Sequence, residues 1–301
     1  MEKYQQAEKS LKTITDFVRF AASEFERASL YYGHGTDNAW DEAVALVLQM
    51  LELPSDYPVV MFEARLIKEE KAHIISAIRS RIEERKPLAY ITNKGYFAGI
   101  EFFVDERVLV PRSPIAELVE NQFNPWLISD EPRILDLCCG SGCIGIACAA
   151  YLPDSEVLVS DISTEALQVA EMNIDQAGLY PRVQAVESDL FSAMRDMKFD
   201  LIVSNPPYVD AEDLADMPAE FFHEPEIGLG SGNDGLDLTK KILAQASDFL
   251  TEHGVLIVEV GNSWVALQEA YPEVPFTWLE FERGGDGVFL LTKQQLEEHF
   301  S

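Results

Sequence analysis

Two short segments of the chain carry residues whose types and spacing could perform chemistry. The first is DLCCGSGCIG, Asp136–Gly145, which follows an apolar run and precedes a short helical pattern. Glycines allow the backbone to approach a ligand closely, and the first turn of the following helix offers N–H groups that lack intrahelical partners. The segment therefore predicts a ligand-binding turn between a strand and a helix.

The glycine spacing narrows the class of ligand. Gly140-x-Gly142-x-x-Gly145 matches the dinucleotide-binding fingerprint. Asp161 lies 21 residues after Gly140, at the end of the next predicted strand, where a carboxylate can hydrogen-bond ribose hydroxyls. This pattern indicates a nucleoside-containing ligand, either NAD or S-adenosylmethionine. Asp136 favours S-adenosylmethionine, because an acid in the first strand suits a cationic amino-acid moiety, which NAD lacks.

The second segment is NPPY, Asn205–Tyr208, which follows the apolar run DLIVS. An amide or aromatic amino nitrogen is a poor nucleophile, because its lone pair is delocalised. The Asn205 side-chain oxygen and the Pro206 carbonyl can each accept one of its N–H hydrogens, which orients the nitrogen towards a methyl donor. Pro206 and Pro207 stiffen the backbone, and Tyr208 supplies a flat face for a planar group. The motif therefore predicts methyl transfer to a planar amino group, without a strong general base.

Alternating strands and helices after residue 112 must position these two segments. This alternation predicts an α/β fold with a mostly parallel, doubly wound sheet, whose ligands bind at the carboxyl ends of the strands. The turn Gly284–Gly287 lies between two short β patterns, so we expect a closing hairpin with an antiparallel last strand. The predicted strands are Arg133–Cys138, Val157–Ser160, Val183–Val186, Asp200–Ser204, Val255–Val260, Phe276–Phe281 and Val288–Leu291. The predicted helices are Thr164–Ala177, Leu236–Thr251 and Ser263–Ala270, with a short one ending at Tyr151.

The N-terminal third has a different pattern, with apolar residues at helical spacing. We expect one helix around Leu11–Ala21, a second through Ala43–Leu51 that Asp37 or Asn38 caps, and a third from about residue 58 to residue 85. From residue 95 to residue 111 the pattern changes to a β-hairpin. The chain is therefore predicted to consist of a helical domain (1–94), a hairpin linker (95–112) and an α/β domain (113–301).

Composition and charge exclude several classes of protein. The chain has 301 residues, 23 Lys and Arg, and 52 Asp and Glu, for a net charge of −29. A broad basic surface for duplex nucleic acid is therefore excluded, since phosphate binding needs Lys and Arg. Hydrophobic residues form 47% of the chain, which is enough for a core, but no apolar run could cross a membrane. The opening MEKYQQAEKS lacks the apolar centre of a signal peptide, so we expect a cytoplasmic protein.

The negative charge is concentrated near the NPPY motif. The net charge is −2 over residues 1–100 and −27 over the remainder. Seven acids and no Lys or Arg lie in one run, namely Asp210, Glu212, Asp213, Asp216, Glu220, Glu224 and Glu226. The run is interpreted either as a solvated face or as a surface that steers a basic protein substrate towards the site.

Four cysteines lie close together in the glycine segment and the helix after it: Cys138, Cys139, Cys143 and Cys148. Their spacing contains no C-x-x-C pair and no nearby His, so a zinc site is not expected. We expect reduced, structural thiols, with Cys138 and Cys139 on opposite faces of a buried strand.

Together these motifs resemble those of a known family. The catalytic half looks like a class I S-adenosylmethionine-dependent methyltransferase, and the full set resembles the HemK-type protein glutamine methyltransferases. The resemblance covers nearly the whole chain. The stretches that carry it are FFVDERVLVPRSPIAEL (Phe102–Leu118), DLCCGSGCIG, NPPYVD (Asn205–Asp210) and HEPEIGLGSGNDGLD (His223–Asp237).

Two branches of that family are relevant. The release-factor branch usually has Glu-Thr-Glu after the Pro-Arg of the linker, whereas this chain continues from Arg112 with Ser-Pro-Ile and has DLCCGSG in place of DLGTGSG. Both departures resemble the branch that methylates a glutamine of the third large-subunit ribosomal protein. A release-factor methyltransferase remains the alternative. An adenine-N6 nucleic-acid methyltransferase also suits NPPY, but the charge disfavours it, and an NAD-binding or non-catalytic module leaves NPPY unexplained.

The resemblance implies a seven-stranded Rossmann-like sheet, a helical substrate-recognition domain, S-adenosylmethionine as the methyl donor and S-adenosylhomocysteine as the product. It also implies a basic ribosomal protein as the partner, with neither duplex nucleic acid nor a membrane. The implied roles are as follows: Asp136, Gly140, Ser141 and Gly142 for the methionine part; Asp161 for the ribose; Asp189 for the adenine amino group, with Leu190 or Phe191 on its ring; Asn205, also next to the cofactor, and Pro206, Pro207 and Tyr208 for the glutamine amide. No metal is implied, and whether Arg112 reaches the pocket is open.

Overall fold

The computed structural model describes residues 2–300, which form two compact units. The first unit contains the residues through Lys94 together with Pro218–His223. The second unit contains Gly95–Met217 and the residues from Glu224 onward. Both segments with candidate chemistry therefore belong to the second unit, although a short piece of chain that follows NPPY is part of the first.

Across the described residues, the first unit is a bundle of five α-helices, two of which begin at a residue whose side chain caps the helix. Thr13 and Asp16 form a reciprocal capping box at the start of the second helix. Asn38 caps the third helix by accepting a hydrogen bond of 2.9 Å from the Asp41 N–H. Of the two residues predicted as this cap, Asp37 and Asn38, it is therefore Asn38 that serves. Apolar side chains including Phe17, Phe25, Leu46, Ile74 and Ile78 form its core. The helices are Glu2–Ser10 (α1), Ile14–Ala28 (α2), Ala39–Met50 (α3), Lys68–Arg79 (α4) and Leu88–Thr92 (α5).

The single helix predicted from about residue 58 to residue 85 is wrong. A 3₁₀ turn at Val59–Glu63 is followed by an extended stretch, α4 begins only at Lys68, and a π-helical turn over Ser80–Glu84 ends the run. In the extended stretch the Ile14 N–H donates to the Ala64 carbonyl and the Leu66 N–H donates to the Lys12 carbonyl. These long-range hydrogen bonds replace intrahelical ones, which the local apolar spacing could not reveal.

The predicted hairpin is formed by Lys94–Phe97 (β1) and Ile100–Phe103 (β2), and all of it except Lys94 belongs to the second unit. Ala98 and Gly99 join the strands with φ angles of 47° and 73°. Two consecutive left-handed residues match a tight two-residue hairpin turn, in which a glycine is favourable. Extended chain without regular structure then leads to Ile115–Glu120 (α6).

A seven-stranded sheet with the order β5-β4-β3-β6-β7-β9-β8 forms the centre of the second unit. All its strand pairs are parallel except those of β9, which runs antiparallel to β7 and β8. The predicted α/β class, the seven strands and the antiparallel last strand are thus confirmed. The strands are Arg133–Leu137 (β3), Glu156–Asp161 (β4), Val183–Glu187 (β5), Phe199–Ser204 (β6), Leu250–Glu259 (β7), Thr277–Trp278 (β8) and Val288–Thr292 (β9).

Helices connect these strands as the alternation predicts, with three differences, the first of which is an unpredicted short helix at Ala211–Ala215. The predicted helix Leu236–Thr251 is too long, since Asp237–Leu243 is helical, a 3₁₀ turn follows and β7 starts at Leu250. The final helix Lys293–Phe300 was not predicted, because its many polar residues give only a weak apolar stripe. The helices that follow α6 are Cys143–Tyr151 (α7), Thr164–Ala177 (α8), Ala211–Ala215 (α9), Asp237–Leu243 (α10), Trp264–Ala270 (α11) and Lys293–Phe300 (α12).

Across residues 2–300, no helix has the length and apolar character that a bilayer span requires.

Candidate active site at the carboxyl edge of the sheet

Strand register brings the two chemical segments together. Leu137, the last residue of β3, pairs with Ser160 of β4 on one side and with Ser204 of β6 on the other. The glycine turn, Asp161 and Asn205 therefore all begin at one level of the carboxyl edge. This is also where the strand order reverses, and open α/β sheets bind ligands at such a point.

The glycine turn adopts the conformation that its sequence predicts. Gly140 and Gly142 have φ angles of 53° and 75°, in the left-handed region that disfavours other residues. A Cβ atom on Gly145 would lie 2.4 Å from Cγ1 of Val159, so this third glycine permits close packing of α7 on β4. The three glycines thus shape the turn and bring the N-terminus of α7 to the edge of the sheet.

The carboxyl group of Asp136 is fully buried, and only one of its two oxygens has a hydrogen-bond partner among the described residues. Its Oδ2 accepts a hydrogen bond of 2.8 Å from the Gly145 N–H. Its Oδ1 is buried and has no hydrogen-bond partner among the described residues. Burial, reinforced by the charge of Asp161, raises the pKa of Asp136 to about 7. An orphaned buried acceptor of this kind suits a cationic ligand group, so the residues present fit an amino-acid moiety.

Asp161 is held in place by backbone groups. Its Oδ2 accepts a hydrogen bond of 2.9 Å from the Gly140 N–H, and its Oδ1 accepts one of 2.9 Å from the Ser163 N–H. The residue is only half-buried. This arrangement ties the orientation of the carboxylate to the conformation of the glycine turn.

The prediction that Cys138 and Cys139 lie in a buried strand is wrong. β3 ends at Leu137, and Cys138 has a φ of 58°, so Cys138 and Cys139 belong to the turn and not to a buried strand. The Cys139 N–H donates to the Ser160 carbonyl, which ties the turn to β4. All four cysteines are free, and burial raises the pKa of Cys138 to about 12. Residues 2–300 contain no cluster of His, Cys, Asp or Glu that could hold a metal ion.

The predicted adenine residues follow β5. Asp189 is exposed, two residues beyond the strand. Leu190 is buried and has a φ of 48°. Both Leu190 and Phe191 belong to the core, and Phe191 in addition stacks on Phe249 with ring centroids 4.5 Å apart. The sequence left Leu190 and Phe191 as alternatives for contact with a ring, and the engagement of Phe191 with Phe249 favours Leu190.

The NPPY segment leaves the sheet directly at the end of β6. Pro206 and Pro207 are buried, whereas Asn205 and Tyr208 are half-buried. The Tyr208 carbonyl accepts a hydrogen bond of 2.9 Å from Oγ of Ser263. The segment is therefore anchored at its backbone and presents two polar side chains.

The Tyr208 ring is closely confined. Its hydroxyl donates to Oε1 of Glu259 at 2.9 Å. A Cβ atom on Gly261 would lie 2.5 Å from Cε2 of the ring, so only glycine fits there. Burial and then the charge of Glu259 raise the pKa of Tyr208 far above its usual value. The phenol is therefore neutral and cannot act as a base.

Glu259 and Ser113 are two polar residues of the site that sequence reasoning missed. Glu259, at the end of β7, is 4% exposed. Its Oε2 accepts a hydrogen bond of 2.5 Å from Oγ of Ser113, and Oγ in turn accepts from the Ile115 N–H. Burial raises the pKa of Glu259. A signal was present, since one acid interrupts the apolar run of β7 next to the carboxyl edge.

Arg112 is engaged within the second unit. Its guanidinium forms a two-pronged contact with Glu224, at 2.5 Å and 2.7 Å, and also donates to the Val110 carbonyl. Glu224 accepts a further hydrogen bond from the Val110 N–H. A bidentate Arg–carboxylate pair is geometrically specific, so the pair fixes the linker against the segment that follows NPPY.

The acidic run is therefore not a uniform solvated face. Glu220 is buried in the first unit, where its carboxylate contacts Arg81, Arg85 and the Tyr31 N–H. Burial opposes its charge, but these donors outweigh that effect and lower the pKa of Glu220. With Glu224 also paired, two of the seven acids are internal. Glu212, Asp213, Asp216 and Glu226 are exposed, and Asp210 caps α9.

Asn173, on α8, is another residue that the sequence did not indicate. Its side chain exchanges hydrogen bonds of 2.8 Å and 3.1 Å with the backbone of Phe103 in β2. It also donates to the Ser141 carbonyl at 2.9 Å. Asn173 thus links the glycine turn to the hairpin, a role that depends entirely on tertiary contacts.

Comparison with known proteins agrees with this geometry. The model of a family described as "Methyltransferase small domain" matches residues 118–232. The hMettl16 catalytic domain, solved in complex with a MAT2A 3′UTR hairpin, is 18% identical with a TM-score of 0.50. That alignment covers 74% of this chain and 80% of the other, and at this identity the similarity concerns the fold alone.

Two relatives match at much higher identity. A ribosomal protein uL3 glutamine methyltransferase of Francisella tularensis is 51% identical, over 99% of this chain and 96% of the relative. A protein of the same name from Neisseria gonorrhoeae is 49% identical, over 97% of this chain and 98% of the relative. Since both matches span nearly the full length, the HemK-type resemblance is confirmed, and the chain belongs to the family of ribosomal protein uL3 glutamine methyltransferases.

Proposed function

We propose that this chain transfers a methyl group from S-adenosylmethionine to the side-chain amide nitrogen of a glutamine in ribosomal protein uL3. The observation that carries the proposal is the position of Asn205–Tyr208 at the end of β6, directly beside the glycine turn after β3. A methyl donor and a planar amide could therefore meet at one edge of the sheet. The names of the two full-length relatives support uL3 as the substrate.

The methyl donor would be held by the turn and by three carboxylates. The buried Oδ1 of Asp136 suits the methionine amino group, next to Gly140, Ser141 and Gly142. Asp161 suits the ribose hydroxyls. Asp189 suits the adenine amino group, with Leu190 as the apolar partner for the ring, and Asn205 borders the donor. When bound, S-adenosylmethionine supplies an electrophilic methyl group on a cationic sulfur.

The residues of NPPY would orient the acceptor. The Asn205 side-chain oxygen and the Pro206 carbonyl accept the two N–H hydrogens of the glutamine amide, which directs its nitrogen towards the methyl group. These acceptors also stabilise the positive charge that develops on nitrogen. Pro207 stiffens the loop, and the Tyr208 ring provides the face on which the planar amide lies. Because the methylated nitrogen is strongly acidic, its proton leaves to water without a dedicated base.

The exposed acids after NPPY suit a basic protein. Glu212, Asp213 and Asp216 lie on and beside α9, and none of them is used in an internal ion pair of the described residues. Such a surface speeds the association of a basic partner. We therefore infer that uL3 is methylated as a cationic protein in the cytoplasm, without direct binding of duplex nucleic acid.

The test is a panel of substrates with radiolabelled S-adenosylmethionine. We expect incorporation into purified uL3, located by mass spectrometry on one glutamine, and little into release factors or tRNA. Asn205→Ala should reduce incorporation on the order of 10²–10³-fold, whereas substitution to Ala of Asn121, an exposed asparagine at the end of α6, should leave it unchanged. Labelling of release factors or tRNA in preference to uL3 would overturn the proposal.

A further inference from the structure

We infer that Glu259 is a positioning residue of the glutamine site, which acts by holding the hydroxyl of Tyr208 while Ser113 holds Glu259. The inference rests on the proposed function, because that function places the glutamine amide against Tyr208. Its basis is a continuous chain of two hydrogen bonds, from Ser113 to Glu259 at 2.5 Å and from Tyr208 to Glu259 at 2.9 Å.

The backbone of Glu259 is rigidly placed. Val258 pairs with Ser204 of β6, so Glu259 lies at the level of Asn205 in the neighbouring chain. On its other side Glu259 pairs with Val288 of the antiparallel strand β9. Because strand pairing on both sides restricts the backbone of Glu259, its carboxyl group has a well-defined position.

The side chain of Glu259 is buried and already engaged by protein groups. Both oxygens accept hydrogen bonds from hydroxyl groups, and the residue is 4% exposed. The charge of the Arg112 guanidinium favours the ionised form of Glu259, but its hydrogen bonds go to Glu224. Burying a carboxyl group without an ion pair of its own costs free energy. In Glu259 that buried group holds two hydroxyls in place. Glu259 therefore acts through Tyr208.

The tilt of the Tyr208 ring depends on this contact. At the backbone end, Ser263 fixes the Tyr208 carbonyl, and Gly235 permits the close approach, since a Cβ there would lie 2.1 Å from that oxygen. Gly261 lies against one edge of the ring. At the far end, Glu259 is the protein group that holds the hydroxyl. Without it the ring could rotate, and small misplacements of a reacting amide reduce rates strongly.

A double-mutant cycle tests the inference on the full-length enzyme with uL3 as substrate. Glu259→Ala should lower kcat about 10-fold or more in the wild-type background, with KM and the affinity for S-adenosylmethionine changed less than about 2-fold. In the Tyr208→Phe background, where the hydroxyl is already absent, the same substitution should cause almost no further loss. Glu259→Gln should recover much of kcat, because an amide can pair with both hydroxyls.

Controls separate positioning from folding. Glu252→Ala, an exposed acid in the same strand, should behave as wild type in activity and in melting temperature. If Glu259→Ala does not fold, Ser113→Ala replaces it in the cycle, with a loss of about 3-fold that again depends on the Tyr208 hydroxyl. Equal losses in both backgrounds, or no loss in the wild type, would overturn the role of Glu259. Absence of uL3 methylation by the wild-type enzyme would instead overturn the proposed function and this inference with it.

Discussion

Two buried carboxyl groups, Asp136 and Glu259, lie at the same edge of the sheet but are built differently. Both have a raised pKa because of burial. Asp136 has one oxygen without a partner among the described residues, whereas both oxygens of Glu259 receive hydroxyl hydrogen bonds. A buried carboxyl group with an unpartnered oxygen is suited to bind a ligand. A buried carboxyl group whose two oxygens both have hydrogen-bond partners is suited to hold other protein groups. On the proposed function, we therefore expect the methyl donor to complete the Asp136 side of the site, whereas the glutamine side is organised before the substrate binds.

The largest expected effect concerns the glutamine side of the candidate site. Asn205→Ala removes the side-chain oxygen that orients the amide, so kcat should fall on the order of 10²–10³-fold. The affinity for S-adenosylmethionine should fall much less. Single-turnover kinetics and calorimetric binding measure the two effects. An equal loss of donor affinity would place Asn205 on the donor side and weaken the distinction.

The second prediction compares the acid-to-amide substitution at Asp136 with the same kind of substitution at Glu259. Asp136→Asn should weaken S-adenosylmethionine binding about 10- to 100-fold, because an amide cannot neutralise a cation. Glu259→Gln should leave that affinity nearly unchanged, since the Glu259 oxygens are engaged by Ser113 and Tyr208. Calorimetric titration of both variants gives the comparison directly. Similar effects of the two substitutions would show that the unpartnered oxygen of Asp136 has no special role.

The pH dependence of donor binding follows from the same residue. In the ligand-free protein the pKa of Asp136 is about 7, and a bound ammonium group would lower it. Affinity for S-adenosylmethionine should therefore decrease as the pH falls from about 8 to about 6, and binding near pH 7 should release protons. Titrations in buffers of different ionisation enthalpy measure that release. Asp136→Asn should abolish this component.

Stability should show the opposite dependence on pH. Because folding raises the pKa of Asp136 from 3.8 to about 7, its protonated form stabilises the folded state at low pH. That contribution is complete below about pH 4 and is lost as the pH rises through about 7. The free energy of unfolding of the wild type, relative to Asp136→Asn, should thus fall by a few kcal/mol, roughly, across this range. Urea unfolding at several pH values checks the sign.

The smallest effect concerns the exposed acids. Replacement of Glu212, Asp213 and Asp216 by Gln or Asn should reduce kcat/KM for uL3 several-fold at low salt, and the difference should vanish at high salt. Neither kcat nor donor affinity should change. As a matched internal acid, Glu220→Gln should instead lower the melting temperature, because it weakens the contacts with Arg81 and Arg85. Salt-independent rates for the triple variant would contradict steering.

Local patterns were enough to predict much of the fold. The cap at Asn38, the glycine turn and the hairpin around Gly284–Gly287 depend on neighbouring residues, so the sequence predicts them well. Predictions failed where distant chain competes with a local preference. The extended stretch before α4 pairs with residues near Lys12, and the early start of β7 pairs Leu250 with Phe199.

The same division applies to the candidate site. By itself the sequence determined the classes of chemistry, since the glycine spacing, Asp136, Asp161 and Asn205–Tyr208 are contiguous or strand-end features. Only the tertiary structure decided that Glu259 and Ser113 hold Tyr208, that Asn173 joins the turn to the hairpin, and that Glu220 is internal. Those contacts join residues far apart in the chain, and their energies arise from burial and from hydrogen-bond partners that no local pattern records.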